Sequence, residues 1–79
     1  MKQKKRTIKC KISEKRFTVV RVDRDPKDTH SGRSFQDAMD SAMPDRGSRI
    51  EVFAVCARDA GAARLKRGQL LRSFKYKGR

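Results

Sequence analysis

Acidic side chains are scarce in this chain: nine aspartates and glutamates stand against 22 lysines and arginines, a formal net charge of +13. That excess goes well beyond what keeps a small domain soluble. Histidine is scarcer still. His30 is the one imidazole, and with Cys10 and Cys56 it makes too few ligands, too far apart in sequence, for a zinc site. Neither a metal nor a cofactor is expected. The two cysteines form no CxxC pair, and each falls in an apolar segment, where a thiol behaves as a small buried hydrophobe. The opening basic stretch has no hydrophobic region behind it and does not read as a secretion signal. Free thiols in a reducing, cytoplasmic compartment are therefore the expectation. No apolar stretch approaches the ~18 residues of a membrane span, so no membrane partner is expected.

Catalytic sets are also missing. The glycines follow neither the phosphate-loop nor the dinucleotide pattern. Ser31, Ser34 or Ser48 as a nucleophile would need a base within reach, and a single histidine in a polar stretch does not supply one by sequence. Asp37 and Asp40 lie one helical turn apart and resemble a catalytic pair, but helix-cap and solvent-face positions account for them. The expectation is a non-enzyme without a small-molecule substrate.

What the chain does have is charge arranged by position. Residues 1–22 hold nine basic residues and one acidic one, and residues 58–79 hold eight and one. Residues 23–57 hold five basic and seven acidic. Such a charge repels itself in the free protein, and a polyanion would relieve the repulsion while shedding its own condensed counterions. At 79 residues the chain has room for one domain, residues 1–79, which buries roughly 60% of its unfolded surface, with residues 1–6 as a basic N-terminal tail.

Periodicity supplies the elements. Residues 7–13 alternate, with Ile8, Cys10 and Ile12 on one side and Lys9 and Lys11 on the other, which predicts a half-buried strand. Residues 17–23 are rich in β-branched side chains and predict a second strand in a hairpin with the first. Residues 25–33 read as a loop punctuated by Pro26 and Gly32. Ser34 reads as a helix N-cap, and Phe35, Ala38, Met39, Ala42 and Met43 follow at helical spacing. Pro44 ends that helix. Its wet face carries Asp37 and Asp40, which phosphate would repel, so it is a poor helix for a DNA groove. The apolar run of residues 49–58 predicts a central strand, residues 62–67 fit a short helical turn or an extended arm, and residues 69–77 alternate as a closing strand. The fold class expected is α+β: a small antiparallel β-sheet with one helix packed on one face, in the order β-β-α-β-β.

The candidate nucleic-acid-binding residues are Lys4, Lys5, Arg6, Lys9 and Lys11 from the opening stretch, and Arg64, Lys66, Arg67, Arg72, Lys75, Tyr76 and Lys77 from the closing one. Long cations spread over strands and loops can follow a repeating phosphate charge without reading sequence. Phe74 and Tyr76, two apart among cations, could stack unpaired bases, or could serve the core and the sheet edge. The expectation is a phosphate-backbone binder of DNA or RNA, its cations meeting on the sheet face away from the helix. A free sheet edge would also offer a homodimer contact.

The order of a hairpin, then residues 34–38 opening a short helix, then residues 49–51 in a strand, then residues 68–79 in a closing strand, resembles the layout of some small phage-encoded anti-CRISPR proteins. Many members of that group are acidic DNA mimics, and this basic chain departs from them. The resemblance implies an alternative function: an inhibitor that binds a CRISPR effector or another nucleoprotein complex in the host cytoplasm and blocks its engagement of nucleic acid, through cationic contact with an acidic protein patch, guide RNA or target DNA.

Overall fold

A computed structural model describes residues 9–66 and 68–78. The order is β1 (Lys15–Val22), β2 (Thr29–Gly32), α1 (Phe35–Ala42), β3 (Arg49–Ala57), α2 (Ala60–Leu65) and β4 (Gln69–Lys75). The four strands form one antiparallel sheet, ordered β2-β1-β3-β4. The class is α+β with an antiparallel sheet, as the sequence predicts, but two of its expected parts lie elsewhere.

The first difference is the hairpin. Residues 9–13 form no strand, and Ile12 is fully exposed, at 103%. The hairpin is β1 with β2, and β2 occupies the stretch expected to be loop. The cause is the turn at residues 22–25, where Asp23 and Arg24 both hold left-handed backbone (φ 52 and 58) and Asp25 N–H donates to the Val22 carbonyl at 3.0 Å. Val22 N–H in turn donates to the Asp28 carbonyl at 3.0 Å, so the loop of residues 23–28 brings Thr29–Gly32 back beside β1. Asp23 is locked in place because its N–H donates to the Arg49 carbonyl at 2.8 Å and its carboxylate accepts from the Arg49 N–H at 2.9 Å.

The second difference is a second helix. Val20, Val22, Ile50 and Val52 cluster with Ala38 of α1, whereas Phe17, Val19, Val55 and Ala57 cluster with Ala63 of α2. Neighbours along a strand point to opposite faces, so α1 and α2 cover the two faces of β1 and β3. That double cover explains why β3 reads as an unbroken apolar run. It also overturns the expected bare face opposite one helix.

The helix termini follow their sequence signals. Ser34 caps α1, its hydroxyl accepting from the Asp37 N–H at 3.1 Å, and Met43 closes it in left-handed backbone. Asp59 caps α2 in the same way through the Ala62 N–H at 2.8 Å. Gly32 lets α1 lie close on β2, because a Cβ there would sit 2.7 Å from the Ala38 nitrogen. In β4 the ladder skips a residue between Val52 and Phe53, so Leu70 faces Phe53 and Arg72 faces Val52. Leu70 and Arg72 therefore point to opposite faces, not to one as the alternation suggests.

Candidate nucleic-acid interface

Cys10 and Cys56 are joined in a disulfide with Cα atoms 5.3 Å apart, which corrects the expectation of free thiols. Cys56 lies near the end of β3, opposite Arg16. The bond therefore fixes Lys9 and Lys11 beside the end of the sheet where β1 starts and β3 finishes. Lys15 and Arg16 open β1 at that end, Arg58 follows β3, and Arg64 and Lys66 sit at the close of α2. All seven cations are exposed.

The carboxylates of this pole are already engaged. Asp59 spends its oxygen on the α2 cap. Glu14 receives Lys66 Nζ at 3.3 Å, and the same ammonium donates to the Cys56 carbonyl at 2.8 Å. The hydrogen bond from Lys66 holds the Glu14 carboxyl below its ordinary value, and the Lys66 charge adds to the effect. Among the described residues no other lysine or arginine makes an ion pair with a described carboxylate.

The closing-strand candidates are elsewhere. Lys75 pairs with Arg49 at the far end of β3, about 23 Å from Cys56 at ~3.3 Å per residue. Asp23, Asp25, Asp28 and Asp45 lie in the loops of that end, twice the number of carboxylates at the pole. The expected single zone is thus divided: opening-stretch cations meet Arg58, Arg64 and Lys66, while Arg72, Lys75, Tyr76 and Lys77 lie along β4 and beyond it. Lys4, Lys5, Arg6 and Arg67 fall outside the described residues.

No protein-family model, curated protein or solved structure matches the chain. Its chemistry therefore rests on its own geometry.

Arg72 and the aromatics form a second feature, on the α1 side of the sheet rather than the side away from it. The Arg72 guanidinium lies 5.0 Å from the Phe35 ring and 4.7 Å from the Phe74 ring, and the two rings are 6.3 Å apart and tilted by 59°. Phe74 and Tyr76 pack partly buried against the cluster of Val20, Ile50 and Val52, so these aromatics serve the core. Beside them runs a groove of about 530 Å³ between α1 and the end of β4, lined by Phe35, Met39, Met43, Pro44 and Tyr76, with Asp40 on its α1 rim.

His30 belongs to β2, not to a loop. Its Nε2 lies 2.6 Å from Asp28 Oδ1, and its Nδ1 lies 3.5 Å from Ser41 Oγ on α1. The order Ser41–His30–Asp28 has the look of a nucleophilic relay, but 3.5 Å exceeds the roughly 2.6–3.2 Å at which a base activates a hydroxyl. The chain of contacts instead ties α1 to the hairpin. Sequence does not show it, because helical spacing leaves the docking direction of α1 open. Among the described residues no cluster of three or more His, Cys, Asp or Glu could hold a metal ion. No helix of the described residues is long and apolar enough to cross a membrane.

Proposed function

We propose that this chain is a non-catalytic nucleic-acid-binding domain that grips phosphate with the pole formed by Lys9, Lys11, Lys15, Arg16, Arg58, Arg64 and Lys66. The observation that carries the reading is the clustering of these exposed cations at one end of the sheet, where Glu14, paired with Lys66, and Asp59, capping α2, are the carboxylates beside them. Each cation that meets a phosphate releases counterions, so affinity comes from charge and falls steeply with salt. Backbone phosphate is the same in every sequence, so the contacts position the domain without reading bases. A surface disulfide is retained in an oxidising setting, and the oxidised form is the binder proposed.

The experiment is fluorescence anisotropy with labelled single- and double-stranded DNA and RNA across a salt series. Wild type is compared with a pole variant, Arg58→Glu with Arg64→Glu, and a far-end variant, Lys75→Glu with Lys77→Glu. The pole variant should lose affinity uniformly across sequences and reduce the salt slope by about one for each phosphate it no longer neutralises. Equal losses in both variants, or wild-type affinity indifferent to salt, would sink the reading.

A further inference from the structure

Arg21 sits on the α2 side of β1, opposite Glu51 in register. Its guanidinium carbon lies 5.3 Å from the centre of the Phe53 ring. Its Nε is shut off from solvent and has no hydrogen-bond partner among the described residues. A buried N–H without an acceptor costs about 1–3 kcal/mol, and folded proteins keep few of them. Glu51 is the carboxylate nearest in the ladder, yet no ion pair forms between the two.

The enclosed Nε lies out of a ligand's reach, but the terminal nitrogens of the same guanidinium are not enclosed, and the surroundings give them a use. Helix α2 packs on the Phe17, Val19, Val55 and Ala57 part of this face, with Phe53 partly buried at its margin. Beyond it opens a cavity of about 310 Å³ lined by Val19, Arg21, Phe53, Lys66 and Gly68. Both charged residues in the lining are cations. Gly68 presses against the sheet, where a Cβ would fall 2.3 Å from the Ala54 oxygen, so no side chain at this position obstructs the cavity. Lys66 also belongs to the basic pole. Its Nζ gives one N–H to Cys56 and one to Glu14, and an ammonium has a third to offer.

We propose that this cavity is a phosphate site, with Arg21 as the directional donor and Lys66 as the second charge. Arginine suits the role because its planar fork matches phosphate oxygens, and the Phe53 ring holds that plane from one side. The inference deepens the nucleic-acid reading and rests on it in one respect: the phosphate is taken to be that of a strand crossing the pole. The chemistry alone would equally admit a free phosphate, so the test separates the two sources.

The test is ¹⁵N NMR of the full oxidised chain, following the Arg21 Nε–H and the Gly68 and Phe53 amides. The probes are inorganic phosphate and, separately, an eight-residue oligothymidylate. Both should move these signals, and Arg21→Lys, which keeps the charge and loses the fork, should abolish the phosphate response and weaken the oligonucleotide about tenfold. Glu51→Gln should tighten binding by removing a nearby negative charge; a loss of stability with unchanged affinity would make Glu51 the natural partner of Arg21 and overturn the site. Salt-dependent oligonucleotide binding that leaves the Arg21 and Gly68 signals unmoved would overturn the cavity and leave the pole standing. Phosphate response without oligonucleotide binding would keep the cavity and remove the nucleic-acid reading. Silence from both probes removes both.

Discussion

Cys10 is bonded to Cys56 across 46 residues of chain, and Cys56 stands opposite Arg16 in the central ladder. One covalent link thus holds the segment bearing Lys9 and Lys11, which joins no strand, against the sheet. A loop of this length carries a chain-entropy stabilisation of about 4 kcal/mol, with native disulfides typically worth roughly 2–4. Reduction, or Cys10→Ser with Cys56→Ser, should therefore lower stability by about 2–4 kcal/mol in urea titrations. The same change should weaken nucleic-acid binding in anisotropy at concentrations of denaturant where the domain stays folded, because the Lys9 and Lys11 charges are no longer fixed at the pole. Unchanged stability and affinity on reduction would mean that the segment is held by something else.

Glu14 yields a pH prediction. Its carboxyl is held below the ordinary value of 4.5 by the hydrogen bond from Lys66. A depressed carboxylate stabilises the fold above its unfolded pKa, and that contribution is lost as pH falls through the lower folded value. The pair is exposed and screened, so the effect is small. Urea midpoints of wild type and Glu14→Gln should differ slightly at neutral pH and converge below the folded pKa. Glu14→Gln should also bind nucleic acid more tightly at neutral pH, since it removes a carboxylate from the pole. A gap between the midpoints that persists in strong acid would assign the effect to packing.

Gly32 and Gly47 make a controlled comparison. A Cβ on Gly32 would meet the Ala38 nitrogen and the Asp37 Cβ at 2.7 Å, whereas a Cβ on Gly47 meets nothing but must hold φ +93. Gly32→Ala should push α1 off β2 and cost about 1–3 kcal/mol. Gly47→Ala should cost about 1 kcal/mol through backbone strain alone. NMR or hydrogen exchange should show loosening of α1 only in the first. If α1 stays as protected in Gly32→Ala as in wild type, the close approach is not what seats it.

The residues that can be read from sequence are those whose pattern is local. Ser34, Ala38 and Met39 announce α1 by spacing, Pro44 ends it, and the apolar run of β3 signals a central strand, although its cover on the second face by α2 is not foreseen. Elsewhere the deciding interaction is distant or the segment short. Residues 9–13 alternate like a strand, but both edges of β1 are taken, by β2 and β3, so the expected hairpin partner is not open to them. Thr29–Gly32 has weak strand propensity and becomes a strand because the loop of residues 23–28, with Asp23 and Arg24 in left-handed backbone, brings it back beside β1. Helix α2 is six residues long, too short for a periodic signal. The Cys10–Cys56 bond has no signature in sequence separation. The basic pole is half visible: charge at both ends is countable, but β4 runs antiparallel to β3 and carries Lys75 and Lys77 away from the cations that open the chain.

Arg72 and Lys75 show how much that correction changes. Read as alternating strand positions, both look like exposed phosphate contacts that charge reversal would disable without harm to the fold. In the structure only Lys75 stands free of the core, while Arg72 covers the rings of Phe35 and Phe74 at 5.0 and 4.7 Å. A cation over a ring at an exposed site contributes about 0.5–1 kcal/mol, and two rings share this one guanidinium. Arg72→Glu should therefore cost about 1–2 kcal/mol and loosen the packing of β4 against α1, while Lys75→Glu should leave the urea midpoint near that of wild type. Arg72→Lys should recover only part of the loss, because an ammonium cannot lie flat against both rings. Neither residue belongs to the pole, so at equal salt each reversal should weaken nucleic-acid binding less than Arg58→Glu with Arg64→Glu. Equal stability of the Arg72→Glu and Lys75→Glu variants would show that the stacked guanidinium does not hold β4 to α1, and a larger binding loss from either than from the pole pair would move the phosphate track from the end of the sheet onto its last strand.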